Sequence, residues 1–323
     1  MSSRPTLVRY AGWPAIRHTA ARAVGQSEAT LRSRRSGVRA RLSAAAAMLV
    51  LMVGSVVLSA QPSAAATAPG RAMWVWSWTD AGSVVQLART RGVGTLFVAV
   101  PADLTTSPSL PKVRDLATQA RSAGLRVDAL GGDPGWVDNP SWAVDHWVNP
   151  TISTGLFTGL HVDVEPWTTT AWTTSQSTTV SKYLSMLDRL VSASGARPVE
   201  ADIPFWFDQI KAGRKSTLDK ETMRRVSAVT LMAYRNTAAG TDGTLAIAAS
   251  ELASAAALGK PVRIGQETTY LGTDPTEVKQ TFYGQTLTRM DDQLAQVDSG
   301  ASAYATYAGI AVHDFTGYAA MAP

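Results

Sequence analysis

The chain has 323 residues and no cysteine, and it carries a formal net charge of +5 with a sequence pI near 9.5. Residues 1–66 hold nine arginines and one acid, which leaves 21 basic and 24 acidic side chains, a net charge of −3, on residues 67–323. This distribution gives no reason to expect nucleic acid as a partner. Disulfides are excluded, so we expect the hydrophobic core alone to stabilise the fold.

The first 66 residues have the plan of an export signal. An arginine-rich stretch ends at Arg41, an apolar run extends over residues 44–60, and "QPSAAATAPG" follows. Small residues near Ala65 and Ala66 fit a cleavage site, so the sequence predicts a signal peptide over 1–66 and a secreted protein. The alternative is an uncleaved anchor helix, because the run approaches the roughly 20 residues that a membrane span needs. That leader would be the protein's only membrane attachment.

Eight short apolar runs then alternate with helix-like segments. The runs are "AMWVWSW" (72–78), "TLFVAVP" (95–101), "LRVDAL" (125–130), "LHVDVEP" (160–166), "PVEADIPFW" (198–206), "AVTLMAYR" (228–235), "PVRIGQETTY" (261–270) and "AGIAVHDF" (308–315). Segments such as "VRDLATQARSAG" and "VSKYLSMLDRLVSASG" repeat apolar residues at i, i+3 and i+4, as helices do. Several helices are predicted to end at a left-handed glycine cap. These glycines are Gly92, Gly124, Gly195 and Gly259.

Strand–helix alternation over about 250 residues predicts an α/β fold, a (β/α)8 TIM barrel in a single domain over residues 67–323. The rival is a doubly wound open sheet. That fold would need a glycine-rich fingerprint after the first strand, and "SWTDAGS" is not one. The last predicted strand ends about ten residues before the C-terminus, so we expect the eighth helix to be missing or replaced.

Acidic and aromatic residues collect at the carboxyl ends of the predicted strands, where barrel active sites are built. In "GLHVDVEPW" (159–167), His161, Asp163 and Glu165 share one face, because alternate side chains of a strand point the same way. The candidate catalytic residues are Asp163, Glu165, Asp202, Tyr234 and Glu267. The candidate substrate-binding residues are Trp76, Trp78, Trp136, Trp167, Trp206, Tyr270 and Asp314.

Carboxylates beside aromatic rings indicate a sugar site. Carboxyl groups act as acid, base or nucleophile at glycosidic bonds, and tryptophan faces stack on pyranose rings. Asp163 and Glu165 lie roughly 6–7 Å apart along a strand, and like charges that close raise one pKa. We expect Glu165 to keep its proton as the acid and Asp163 to stay ionised and orient it. The alternative is a buried polar network with His161 and Asp202 that only fixes the barrel.

Two short motifs resemble glycoside hydrolase family 18, the chitinase-like enzymes. "GLHVDVEP" is similar to the family's fourth-strand motif D-G-x-D-x-D-x-E, which implies that Glu165 is the general acid and Asp163 its neighbouring aspartate. Thr158 and His161 stand where the motif has its two earlier aspartates. "LMAYR" (231–235) resembles the sixth-strand M-x-Y-D: Met232 and Tyr234 match, and Arg235 replaces the aspartate.

A second resemblance is to the retaining barrel glycosidases of the cellulase and galactosidase clan. These place an acid/base glutamate on strand four and a nucleophilic glutamate on strand seven, which implies those roles for Glu165 and Glu267. The clan has asparagine before the first glutamate, where this chain has Val164. The sequence therefore resembles the barrel glycosidases without matching either pattern throughout.

The leading interpretation is a secreted glycoside hydrolase that cleaves a polysaccharide or cell-wall glycan by carboxylate acid/base catalysis. The alternatives are a non-catalytic glycan-binding barrel and, if the leader is retained, a surface-anchored interaction protein. A metal site on His161, Asp163, His313 and Asp314 lacks HExxH-like spacing, so we expect no metal and no other cofactor. We expect a monomer whose partner is the glycan.

Overall fold

The computed structural model describes residues 70–323, and the predicted leader lies outside the described residues. Eight parallel strands close into a barrel in chain order. The strands are β1 (Arg71–Val75), β2 (Val93–Ala99), β3 (Arg126–Gly131), β4 (Gly159–Val162), β5 (Val199–Pro204), β6 (Ala228–Met232), β7 (Val262–Glu267) and β8 (Tyr307–His313). The predicted TIM barrel is confirmed, and the open sheet is wrong.

Helices connect the strands on the outside of the barrel. They are α1 (Ala81–Thr90), α2 (Leu110–Ser122), α3 (Pro140–Ala143), α4 (Asn149–Ser153), α5 (Thr170–Thr174), α6 (Gln176–Ala193), α7 (Leu218–Arg225), α8 (Thr244–Leu258), α9 (Pro275–Val278), α10 (Leu287–Ala301) and α11 (Phe315–Ala320). After β8, the full-length helix of a regular (β/α)8 barrel is replaced by the six-residue α11. In the described part of the chain, no helix is both long and apolar enough to cross a bilayer.

The predicted glycine caps are confirmed. Gly92, Gly124, Gly195 and Gly259 have φ angles of 64°, 79°, 63° and 63°. A left-handed φ is strained for residues with a Cβ, so glycine ends a helix and turns the chain into the next strand.

Two apolar clusters hold the barrel. The larger joins outward-facing strand residues such as Leu96 to helix residues such as Leu116 and Leu187, all fully buried. The smaller contains Trp74, Phe97 and Leu130, which have the opposite parity and fill the barrel interior. This inner cluster supports the polar side chains of the candidate site from within.

A fully buried carboxyl group lies in the helical layer, far along the chain from the β4 acids. Glu251 of α8 and Asp219 of α7 are both 0% exposed, and the Asp208 amide donates to Glu251 Oε1 at 3.3 Å. Burial first, and then the Asp208 carboxylate, raise the pKa of Glu251 to about 9. The folded state therefore binds a proton here that the unfolded chain releases near pH 4.5.

The stability that this proton contributes is complete below pH 4.5 and is lost progressively as the pH rises toward about 9. We expect Glu251→Gln to raise the melting temperature at pH 8 by about 2–8 °C, because the amide never ionises. At pH 5 the gain should be small. Asp292→Asn, at an exposed position of α10, is the control and should change neither value. Equal gains at both pH values, or a loss at pH 8, would contradict this.

Candidate active site

The end of β3 fixes the backbone of Asp163. The Asp163 amide donates to the Gly131 carbonyl at 3.0 Å. A Cβ on Gly132 would lie 1.8 Å from the Asp163 carbonyl oxygen, so only glycine permits this approach. The Gly131–Gly132 pair is therefore a positioning element that the sequence reasoning missed, although two adjacent glycines at a strand end are a readable signal.

The two acids after β4 both have a raised pKa. Burial first, then the Asp202 carboxylate, raise the pKa of Asp163 to about 7. Burial also raises the pKa of Glu165 well above its usual range, followed by repulsion from Asp163 and Asp202. Glu165 is half-buried and Asp163 is buried. Both carboxyls thus hold a proton to higher pH than a free acid does, and Glu165 is the more exposed of the two.

Asp202 is held inside the barrel by two donors. Its Oδ1 lies 2.9 Å from His161 Nε2, and its Oδ2 accepts from the Trp74 indole at 3.1 Å. Phe97 stacks on the His161 ring at 3.6 Å between centroids. Burial alone would lower the pKa of His161, but Asp202 raises it. Burial raises the pKa of Asp202 as well, while His161 and the Trp74 indole lower it. His161 and Trp74 are thus the partners of Asp202 inside the barrel.

Glu267 is the most completely bonded of the candidate acids. It is 1% exposed, and its Oε1 accepts from the amides of Thr268 and Thr269 at 2.8 and 2.7 Å. Its Oε2 lies 2.8 Å from His313 Nδ1. Burial would raise the pKa of Glu267, but His313 and the hydrogen bonds lower it. Both oxygens of this ionised carboxylate already have protein partners.

His313 links Glu267 to the first strand. The indole N–H of Trp76 donates to His313 Nε2 at 2.8 Å, a hydrogen bond that needs the neutral ring with its proton on Nδ1. Burial would lower the pKa of His313, but Glu267 raises it to about 9. Protonation of Nε2 would replace the Trp76 hydrogen bond with a contact between two donors. The half-buried Trp76 indole is thus coupled to the charge of this pair.

Tyr234 shows that the candidate residues share one region. Its ring is 7% exposed, and burial raises the hydroxyl pKa well above its usual value. The carboxylates of Glu267, Asp202, Asp163 and Glu165 raise it further, in that order. The hydroxyl therefore remains a proton donor at all ordinary pH values and lies within electrostatic reach of the four candidate acids.

Arg235 occupies the position of the aspartate in the motif that β6 resembles. Its guanidinium is 2.8 Å from Asp242 Oδ1, and Lys279 Nζ is 2.6 Å from Asp242 Oδ2. The Asn236 amide group also donates to the Val278 carbonyl at 2.9 Å. Arg235 thus joins the loops after β6 and β7 and does not supply an acid to the mouth.

The aromatic candidates after β4 and β5 form one cluster. The Trp167 and Trp206 rings meet edge to face at 5.6 Å, and both rings contact Phe207 at 5.4 Å. Trp167 follows Glu165 by two residues, and both tryptophans are half-buried. Both rings pack partly against the core.

Of the other predicted substrate-binding residues, three are buried and one is exposed. Trp78 and Trp136 are 7% and 5% exposed, so their rings pack in the core and are not open to a sugar. Asp314 is 4% exposed and caps α11 by accepting from the Gly317 amide at 3.1 Å. Tyr270 is 59% exposed and meets an aromatic residue that the sequence reasoning did not select, Tyr283, at 5.3 Å. Within residues 70–323, no group of three or more acids and histidines has metal-site geometry.

No family model and no curated protein sequence matches the chain. Among solved structures, a Rhizomucor miehei chitinase is 13% identical over 75% of this chain and 93% of its own, with a TM-score of 0.48. A family 18 chitinase from Cycas revoluta, in complex with allosamidin, is 14% identical over 61% and 68%, with a TM-score of 0.43. The spore cortex-lytic enzyme SleL of Bacillus megaterium is 15% identical over 62% and 50%, with a TM-score of 0.43. Family 18 chitinases, the class that the two motifs resemble, are thus among the structures similar to this chain.

Proposed function

We propose that the protein is a glycoside hydrolase that cleaves a polysaccharide or cell-wall glycan. The observation that carries the proposal is the pair of acids after β4, the half-buried Glu165 and the deeper Asp163, whose pKa values are both raised by burial. A carboxylic acid that keeps its proton near neutral pH is what protonation of a glycosidic oxygen requires.

In the proposed reaction, Glu165 transfers its proton to the oxygen of the leaving sugar as the bond from that oxygen to the anomeric carbon breaks. Positive charge then develops on the anomeric carbon and ring oxygen. The Asp163 carboxylate stabilises this charge, and the Tyr234 hydroxyl donates a hydrogen bond to the substrate. Water finally adds to the anomeric carbon and returns a proton to Glu165.

The second carboxylate in this proposal is Asp163 and not Glu267. Both Glu267 oxygens are held by His313 and by the backbone after β7, and the side chain is 1% exposed. At 1% exposure this carboxylate presents almost no surface to an anomeric carbon. Asp163 is 8% exposed, and its Oδ1 has no hydrogen-bond partner among the described residues.

Release of reducing ends from a panel of neutral and N-acetylated polysaccharides and peptidoglycan tests this proposal. Cleavage of at least one glycan, strongly slowed in Glu165→Gln, is the expected result. The alternative of a non-catalytic, glycan-binding barrel is supported by two replacements: Arg235 and His161 stand where the resembled motifs carry acids. Glycans that are bound but never cleaved would favour that alternative, and no binding at all would defeat both.

We also propose that the protein is exported. The apolar run at 44–60 followed by "SAAATA" predicts that the mature chain begins within a few residues of Thr67. N-terminal sequencing of protein from the culture medium is the measurement. A leader that stays intact in the membrane fraction would support the anchor alternative.

A further inference from the structure

A basic loop connects β5 to α7 on the face of the barrel where the candidate acids lie. Between residues 211 and 220 the chain reads "KAGRKSTLDK". We call residues 211–220 the basic hairpin. Its cations are Lys211, Arg214, Lys215 and Lys220.

The basic hairpin has a defined backbone. Lys211 pairs antiparallel with Thr217, and the Ala212 amide donates to the Ser216 carbonyl at 3.0 Å. Gly213 has a φ of 92°, which allows the tight turn between them. The Arg224 guanidinium donates to the Ser216 hydroxyl at 2.9 Å and fastens the turn to α7. Lys211, Arg214 and Lys215 therefore project from a fixed loop, and Lys220 lies in the first turn of α7. All four border a recess of about 390 Å³.

These cations are not neutralised by the protein. Lys211, Arg214 and Lys215 are exposed and Lys220 is half-buried, and among residues 70–323 none of them forms an ion pair with an acid. The acid within the hairpin, Asp219, is fully buried. Four clustered cations on residues 67–323, which carry a net charge of −3, form a local field that attracts anions.

The basic hairpin follows the aromatic cluster of the candidate active site along the chain. Trp206 lies five residues before Lys211 and meets Trp167 at 5.6 Å. Trp167 in turn follows the proposed acid Glu165 by two residues. A glycan chain that occupies the mouth and runs along this aromatic pair would reach the cations.

We propose that the basic hairpin binds anionic groups, carboxylates or phosphates, carried on the glycan whose backbone occupies the barrel mouth. Arg214 supplies the bidentate donor geometry that suits both groups, and the lysines supply mobile point charges. The proposal rests on the proposed function, because it names the class of glycan that the mouth would receive. Nucleic acid and anionic membranes are rival polyanions that the test must exclude.

Three dextrans with one backbone make a matched set of probes: carboxymethyl dextran, phosphorylated dextran and neutral dextran. We expect the purified protein to bind at least one charged dextran more tightly than neutral dextran, with an affinity that falls as salt is raised. The better of the two charged probes identifies the anion. The triple variant Lys211→Gln, Arg214→Gln, Lys215→Gln should lose roughly 10–100-fold in that affinity.

The control variant removes three cations elsewhere: Arg89→Gln, Arg114→Gln and Arg289→Gln, all exposed helix residues. It has the same change in net charge and should bind as the unsubstituted protein does. Equal losses in both variants would overturn the proposal, as would unchanged binding in the hairpin variant or no preference for either charged dextran. Tighter binding to duplex DNA or phosphatidylglycerol vesicles would also overturn it. Binding needs no turnover, so an inactive protein that still binds charged dextran would defeat the proposed function alone.

Discussion

Glu165→Gln is expected to lower kcat by roughly 10²–10⁴-fold on whichever glycan the protein cleaves, the usual contribution of a positioned general acid. Glutamine keeps the volume and hydrogen-bonding capacity of the side chain but has no proton to transfer. Substrate affinity should change little, because it rests on the aromatic residues around the mouth. Initial rates and equilibrium binding of the same oligosaccharide separate the two effects.

The expected loss is larger for substrates with poor leaving groups. An activated aryl glycoside needs little protonation of its leaving oxygen, so Glu165→Gln should slow its cleavage less than that of a natural linkage. Glu277→Gln is the matched control, because glutamine preserves the capping box that Glu277 makes with Asp274 at the start of α9. Unchanged turnover of a natural glycan by Glu165→Gln would remove this residue from the mechanism.

The barrel could be predicted from the sequence because its signals are local. Each strand is a short apolar run, and each predicted glycine cap lies where a helical repeat stops. The acids near β4 were readable for the same reason, since charge on an apolar strand is costly without a purpose. The β4 strand itself ends at Val162, so Asp163 and Glu165 lie just beyond it and not within it.

The partners of these acids could not be read from the sequence. His313 is beside Glu267 because β7 and β8 pair in that register, although 46 positions separate them in the chain. Burial of Trp78 and Trp136 likewise depends on tertiary contacts, such as that of the Trp136 ring with Trp147 at 5.1 Å. A tryptophan that packs a core and one that stacks on a sugar have the same local sequence, and only tertiary contacts distinguish them.

Asp163→Asn is the second change for which we expect a large effect, a loss of roughly 10²–10³-fold in kcat, comparable to removing one preorganised group that stabilises transition-state charge. It should also change the pH profile. In the unsubstituted protein, activity should fall as the pH drops below about 7, because Asp163 then takes up a proton and can no longer stabilise positive charge.

The alkaline limb of the profile reports the loss of the Glu165 proton. The Asp163 carboxylate raises the pKa of Glu165 by repulsion, after the larger effect of burial. Asp163→Asn removes that repulsion, so the pKa of Glu165 should fall and the alkaline limb should move to lower pH, while the acidic limb near pH 7 disappears. Because Asp163 and Glu165 interact, each apparent pKa of the profile belongs to the pair and not to one residue. The limbs are therefore assigned to residues by comparing the variant with the unsubstituted protein. Asp115→Asn, an exposed residue of α2, should leave both limbs in place. An Asp163→Asn variant whose alkaline limb stays fixed would show that Asp163 does not set the protonation of Glu165.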